Sequence, residues 1–125
     1  MPSDAEWTQL TDYVSSQDEY VCGSDNSYIA KALASTNGWH SFSDVYSGNC
    51  NIGHSLSSNN TTGFSAMPAG YSDNNSFGEE TIFWSSTESY PDYAWYRKLE
   101  YIYAHVISGD ATTKNWCFSV RCLKD

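Results

Sequence analysis

Residues 93 to 106 read YAWYRKLEYIYAHV, and this stretch limits the possible folds most narrowly. Trp95, Arg97, Leu99 and Tyr101 recur at every second position and can serve a core, whereas Tyr93, Tyr96, Lys98 and Glu100 mix aromatic, basic and acidic types. Side chains on a strand alternate strictly between two faces, so a one-residue slip turns the whole pattern over. The core-like series nevertheless resumes at Ala104 and Val106, on the other parity. A turn or bulge is therefore expected at Ile102–Tyr103, dividing the stretch into two strands. Downstream, SGDATTK (Ser108 to Lys114) reads as a further turn from its Gly, Asp and Thr content. WCFSVRCL (Trp116 to Leu123) then reads as a final strand with Phe118, Val120 and Cys122 on one face. The C-terminal part thus predicts a small antiparallel sheet.

The N-terminal part carries helix signals. Ser3 stands three residues before Glu6, the capping-box spacing in which each side chain satisfies the other's free backbone donor. Trp7, Leu10, Tyr13 and Val14 follow at helical spacing and give one apolar face. A second helix is expected in NSYIAKALAST, with Ile29, Ala30, Leu33 and Ala34 on one stripe and Gly38 as its stop. From Gly38 to Phe64 the chain is rich in Ser, Asn and Gly and keeps neither period. It reads as a long, partly ordered loop tied at Cys50, the kind of excursion that is functional or specific to a family. GFSAMPAGY adds a short apolar segment broken by Pro68 and Gly70, DNNSFGEE a turn, and TIFWSST another strand. The reading is one α+β domain over residues 1–125, with two helices, a small antiparallel sheet and long loops.

Four cysteines allow three full pairings, which sequence alone does not distinguish. Cys117 and Cys122 lie five apart, so on one strand they would face opposite ways and a bridge between them is disfavoured. Cys22 and Cys50 lie in polar, loop-like sequence where a disulfide would clip a long excursion. The alternative is four buried, reduced thiols.

Charge and motifs narrow the function. Fifteen acidic against six basic residues give a net charge of −9, a field that repels phosphate backbones and anionic lipids, so no nucleic-acid partner is expected. No run approaches the roughly 18 apolar residues of a membrane span, so no insertion is expected from this chain. Nor does MPSDAEW resemble a signal peptide, and a targeting segment is expected upstream. His40, His54 and His105 are scattered without metal-ligand spacing, so neither a metal nor any other cofactor is expected. There is no nucleophile elbow and no glycine-rich phosphate loop, and Glu79-Glu80 reads as a solvated acidic pair. Catalysis has no support in these residues. Between 89 and 117, by contrast, Tyr90, Tyr93, Tyr96, Tyr101, Tyr103 and Trp116 are interleaved with small polar residues. Binding surfaces favour this mix, because Tyr and Trp offer large amphipathic contact at low entropic cost. Trp95, Leu99 and Tyr101 read as core; Tyr93, Tyr96 and Tyr103 read as exposed.

Six blocks in order, PSDAEWTQLTDYV, GWHSFS, GFSAMPAGY, FWSSTE, AWYRKL and FSVRCLKD, resemble the Fibrobacter succinogenes major paralogous domain, found in surface and secreted proteins of Bacteroidetes and relatives. The resemblance implies a C-type-lectin-like fold, similar to that of formylglycine-generating enzymes. It also implies a secreted or cell-surface location, bacterial or on a phage particle. Domains of this kind are targets of diversity-generating retroelements, which rewrite a segment ending before FSVRC. On that likeness Ala94, Trp95, Arg97, Leu99, Tyr101, Ala104, Val106 and Lys114 are scaffold. The implied ligand-binding residues are Tyr90, Asp92, Tyr93, Tyr96, Lys98, Glu100, Ile102, Tyr103, His105, Ile107, Asp110, Thr112, Asn115 and Trp116, for a protein or glycoconjugate ligand. Cys117 stands where the family pattern has Gly, and the segment that would pair with Cys122 is absent from this chain. The EPN, QPD and WND signatures of calcium lectins are missing, so sugar binding through calcium is not implied.

Overall fold

The computed structural model describes residues 1–71 and 75–124, apart from the side chains of Ala111 and Thr112. Helix α1 (Asp4–Ser15) begins as its spacing predicts: Ser3 Oγ accepts from Glu6 N, and Glu6 Oε2 accepts from Ser3 N at 2.8 Å. These bonds from the Ser3 backbone, and then from its side chain, hold the Glu6 carboxyl below the ordinary carboxylate range. Trp7 and Val14 are buried and Leu10 is packed against the core, but Tyr13 is 58 % exposed. The apolar face is narrower than its sequence spacing suggests.

Helix α2 is a single turn, Ala30–Leu33, much shorter than the expected one. Upstream, Asp25 captures the chain in a turn, with Ser27 N donating to Asp25 Oδ1 and Tyr28 N to Asp25 O. Downstream, Ala34 leaves helical geometry to form a parallel bridge with Ala66, and Ser35 N donates to Ala66 O. Backbone pairing with a segment remote in sequence thus ends the helix before Gly38 is reached.

Three antiparallel strands follow in the order β1 (Glu80–Tyr90), β2 (Tyr93–Glu100) and β3 (Ile107–Thr113). The break expected at Ile102–Tyr103 is present as a turn between β2 and β3, with Tyr103 N donating to Glu100 O, but it extends through Ala104 and Val106, residues expected in the second strand; β3 begins only at Ile107. Two further expectations need correction. Ser108–Lys114 is not a turn, because residues to Thr113 form β3; Gly109 lies opposite Tyr96, where a Cβ would meet the Tyr96 hydroxyl at 2.6 Å. Nor is Trp116–Leu123 a strand: Ser119 alone pairs with β1, through Trp84 N to Ser119 O and Ser119 N to Ile82 O. Beyond it the chain diverges, since Arg121 reaches Phe64 O at 2.7 Å and lays its guanidinium over the Phe64 ring. Val120 and Cys122 are left exposed instead of sharing a buried face.

The inner face of the sheet contributes Phe83 and Leu99 to a core with Trp7, Val14, Ile29, Leu33, Trp39 and Ile52. Arg97 shares that face. Its side chain is 6 % exposed, and the guanidinium donates to Asp4 Oδ1 at 2.6 Å and Thr8 Oγ1 at 3.0 Å, riveting α1 to β2. The long excursion is more ordered than its composition suggests. It contains one-turn 3-10 segments at Val45–Ser47 and Leu56–Ser58, and it buries Cys50, Asn51, Ile52 and Asn59. Carboxamides replace a sheet there: Asn51 Nδ2 donates to Phe42 O and Tyr101 O, and Asn59 Nδ2 to Ser35 O and Ile52 O. Cys50 is bonded to Cys22 as expected, and Cys117 and Cys122 are free and exposed. Of the expected turn DNNSFGEE, Asp73 and Asn74 lie outside the described residues.

Candidate functional site

Strand register sorts the side chains by face. Trp84 pairs with Tyr96 and Ile82 with Lys98, and Tyr96 and Lys98 pair in turn with Gly109 and Ile107. Directly paired residues share a face, so these side chains form the outer side of the sheet, away from α1. The C-terminal segment lays Trp116 and Phe118 across it. Phe118 contacts the rings of Trp84 at 4.4 Å, Tyr71 at 5.9 Å and Tyr96 at 5.9 Å, and Trp116 meets Tyr71 at 5.2 Å. All five rings stay partly open to solvent. Four of them, Tyr71, Tyr96, Trp116 and Phe118, line a cleft of about 130 Å³ together with Ile82 and Lys98.

The charge at this cleft is organised. Lys98 Nζ lies 2.6 Å from Glu80 Oε2 and 2.9 Å from Glu100 Oε2. Burial opposes the Lys98 charge, but the bonds to Glu80 and Glu100 outweigh it and hold the pKa above the ordinary lysine value. Glu80 is therefore a buried ion-pair partner and not half of a solvated acidic pair, although Glu79 remains open beside His40.

The residues expected to bind ligand divide into groups. Tyr96, Lys98, Glu100, Ile107 and Trp116 belong to the outer face. Tyr90, Asp92 and Tyr93 form the tip of the β1–β2 hairpin, where the Tyr90 and Tyr93 rings stand 6.3 Å apart and Tyr90 is 67 % exposed. Lys114 braces this tip by donating to Pro91 O and pairing with Glu88, and Asn115 follows it, exposed. Ile102, Tyr103 and His105 occupy the β2–β3 turn, with the Tyr103 and His105 rings 5.3 Å apart. Asp110 O accepts from Ser89 Oγ, and the Thr112 side chain lies outside the described residues. Among the scaffold residues Ala94, Arg97, Leu99 and Ala104 are buried, and Tyr101 and Val106 pack against the core. Trp95 is only half-buried, because the pairing of β2 with both neighbours is irregular around Ala94 and Tyr96. The sequence reading missed Tyr71, Ile82, Trp84 and Phe118, which reach the face from outside the 89–117 segment or from the segment misread as a strand. The strict alternation of Ile82 and Trp84 against Phe83 was the available signal.

The profile of the Fibrobacter succinogenes major domain matches residues 1–124. The chain belongs to the Fibrobacter succinogenes major domain family. No curated protein and no solved structure matches it. Within this Fibrobacter succinogenes major domain, no cluster of three or more His, Cys, Asp or Glu suited to a metal occurs among the described residues. No helix among them is long and apolar enough to cross a membrane.

Proposed function

We propose that this domain is a ligand-binding module, secreted or displayed at a bacterial or phage surface, on a C-type-lectin-like scaffold related to that of formylglycine-generating enzymes. Its outer sheet face is the recognition surface, of the kind that diversity-generating retroelements rewrite, and it acts by contact and not by turnover. The observation that carries this reading is the cluster of Tyr71, Trp84, Tyr96, Trp116 and Phe118, held partly open to solvent beside the Lys98–Glu80–Glu100 ion pairs. Aromatic anchors ringed by polar groups are how compact hot spots are built. A protein or a glycoconjugate is the fitting class of ligand.

The test is to pan the purified domain against arrayed bacterial and host surface molecules and then measure captured ligands against variants. Trp116→Ala or Tyr96→Ala should weaken binding by about 2 kcal/mol or more with the fold intact. Unchanged affinity in both variants would place the site elsewhere. A nearby template copy of the 89–117 coding segment, differing only at adenines, would separate a diversified domain from a fixed one.

A further inference from the structure

We infer that the outer face recognises a cation, an arginine side chain presented by a basic protein surface. The inference rests on the proposed recognition role of that face and narrows its ligand.

Size is the first argument. A cleft of about 130 Å³ falls well short of the roughly 300 Å³ at which ordinary small-molecule pockets begin. It accepts the end of one side chain. Ring chemistry is the second. Tyr71, Tyr96, Trp116 and Phe118 line it together with Ile82 and Lys98, whose own charge is met by Glu80 and Glu100, and aromatic faces carry negative quadrupole charge that attracts a cation within about 6 Å. Guanidinium is the better fit than ammonium, being planar, weakly hydrated and able to stack on rings.

Charge is the third. Glu80 and Glu100 face one lysine, Lys98, so the triad keeps a residual negative charge. The remaining basic side chains are elsewhere: Arg97 on the inner face, Lys114 at the hairpin tip, Arg121 over Phe64, Lys31 under the long excursion and Lys124 near the C-terminus. Glu100 is the reachable carboxylate. Its side chain is 21 % exposed and takes Lys98 Nζ on Oε2 at 2.9 Å; a carboxylate has about four acceptor positions, so one ammonium does not exhaust it. The field of a chain with net charge −9 favours the approach of a basic partner and opposes an acidic one.

The experiment is a tryptophan-fluorescence titration with Gly/Ser pentapeptides carrying a central Arg, Gln or Glu, and with N-acetylglucosamine as an uncharged sugar. The Arg peptide should saturate and bind about tenfold tighter than the Gln peptide. Glu100→Gln should weaken it severalfold and Lys98→Gln should strengthen it. Gly109→Ala should also weaken it without removing a ring, because the new Cβ would meet the Tyr96 hydroxyl at 2.6 Å and push that ring aside. Circular dichroism of each variant checks the fold. No saturation by the Arg peptide below about 20 mM, or equal binding of the Gln peptide, overturns the inference. Sugar or Gln-peptide binding that Trp116→Ala abolishes would leave the recognition face standing and refute only its cationic ligand. If neither these probes nor the panned ligands respond to Trp116→Ala, both fail.

Discussion

Replacing Lys31 by methionine should change how stability responds to pH. Lys31 is 8 % exposed, and its ammonium donates to the carbonyls of His54 and Asn51, with no carboxylate in ion-pair range among the described residues. Burial lowers its pKa from 10.5 to about 8. Between those values the unfolded chain binds more protons than the folded one, so stability rises with pH. The destabilisation is complete below the folded pKa and is relieved as pH climbs toward the unfolded value. A shift of this size corresponds to about 3 kcal/mol, of which about 2 kcal/mol should be recovered by about pH 9.5. The tyrosines titrate in wild type and variant alike, so the informative quantity is the difference between their urea-unfolding free energies from about pH 7 to 9.5. That difference should shift in favour of the wild type as pH rises. Loss of the two carbonyl contacts in Lys31→Met adds only a constant offset. Parallel curves, within about 0.5 kcal/mol, would show that folding does not perturb this ammonium and would refute the argument.

Asp4→Ala strips the guanidinium of Arg97 of its carboxylate, and a thermal melt should report a loss of about 2 to 4 kcal/mol; a loss below about 1 kcal/mol would mean the remaining bonds suffice. Leu99→Ala should cost about 2 to 4 kcal/mol as a core cavity, whereas Tyr103→Ala on the exposed turn should cost less than about 1 kcal/mol. Reducing the Cys22–Cys50 bond, which spans a separation of 28, should lower stability by roughly 3 to 4 kcal/mol in urea. Alkylation of the unreduced, denatured chain should label Cys117 and Cys122 only; four labels would contradict the bridge. A chelator should leave ligand affinity unchanged, because no metal-suited cluster of side chains occurs among the described residues.

What the sequence revealed was mostly local chemistry. Ser3 and Glu6 cap a helix using atoms three residues apart, so their spacing is sufficient information. The break at Ile102–Tyr103 was also legible, although Ala104 and Val106, whose parity signalled it, lie in the turn and not in a strand. The failures share a different cause. Ala30–Leu33 stops where Ala34 pairs with Ala66, and β3 accepts a glycine because Tyr96 occupies the space above it. Both outcomes are decided by residues distant in sequence. The same holds at the candidate site: Tyr96, Lys98, Glu100, Ile107 and Trp116 were legible, while Tyr71, Trp84 and Phe118 join the face only through tertiary placement. Tyr103 and His105, adjacent in sequence to those residues, sit in the turn instead.

The rivet between Asp4 and Arg97 has a consequence in time. Its partners are 93 residues apart, and ribosomes add roughly 5 to 20 residues per second. Helix α1 must therefore wait roughly 5 to 20 seconds after its own synthesis before its anchor exists. An isolated helix of this length is marginal in water, and Trp7 and Val14 lack the Phe83 and Leu99 side of their core until β1 and β2 emerge. Within the domain, the helix made first is thus among the later elements to be secured.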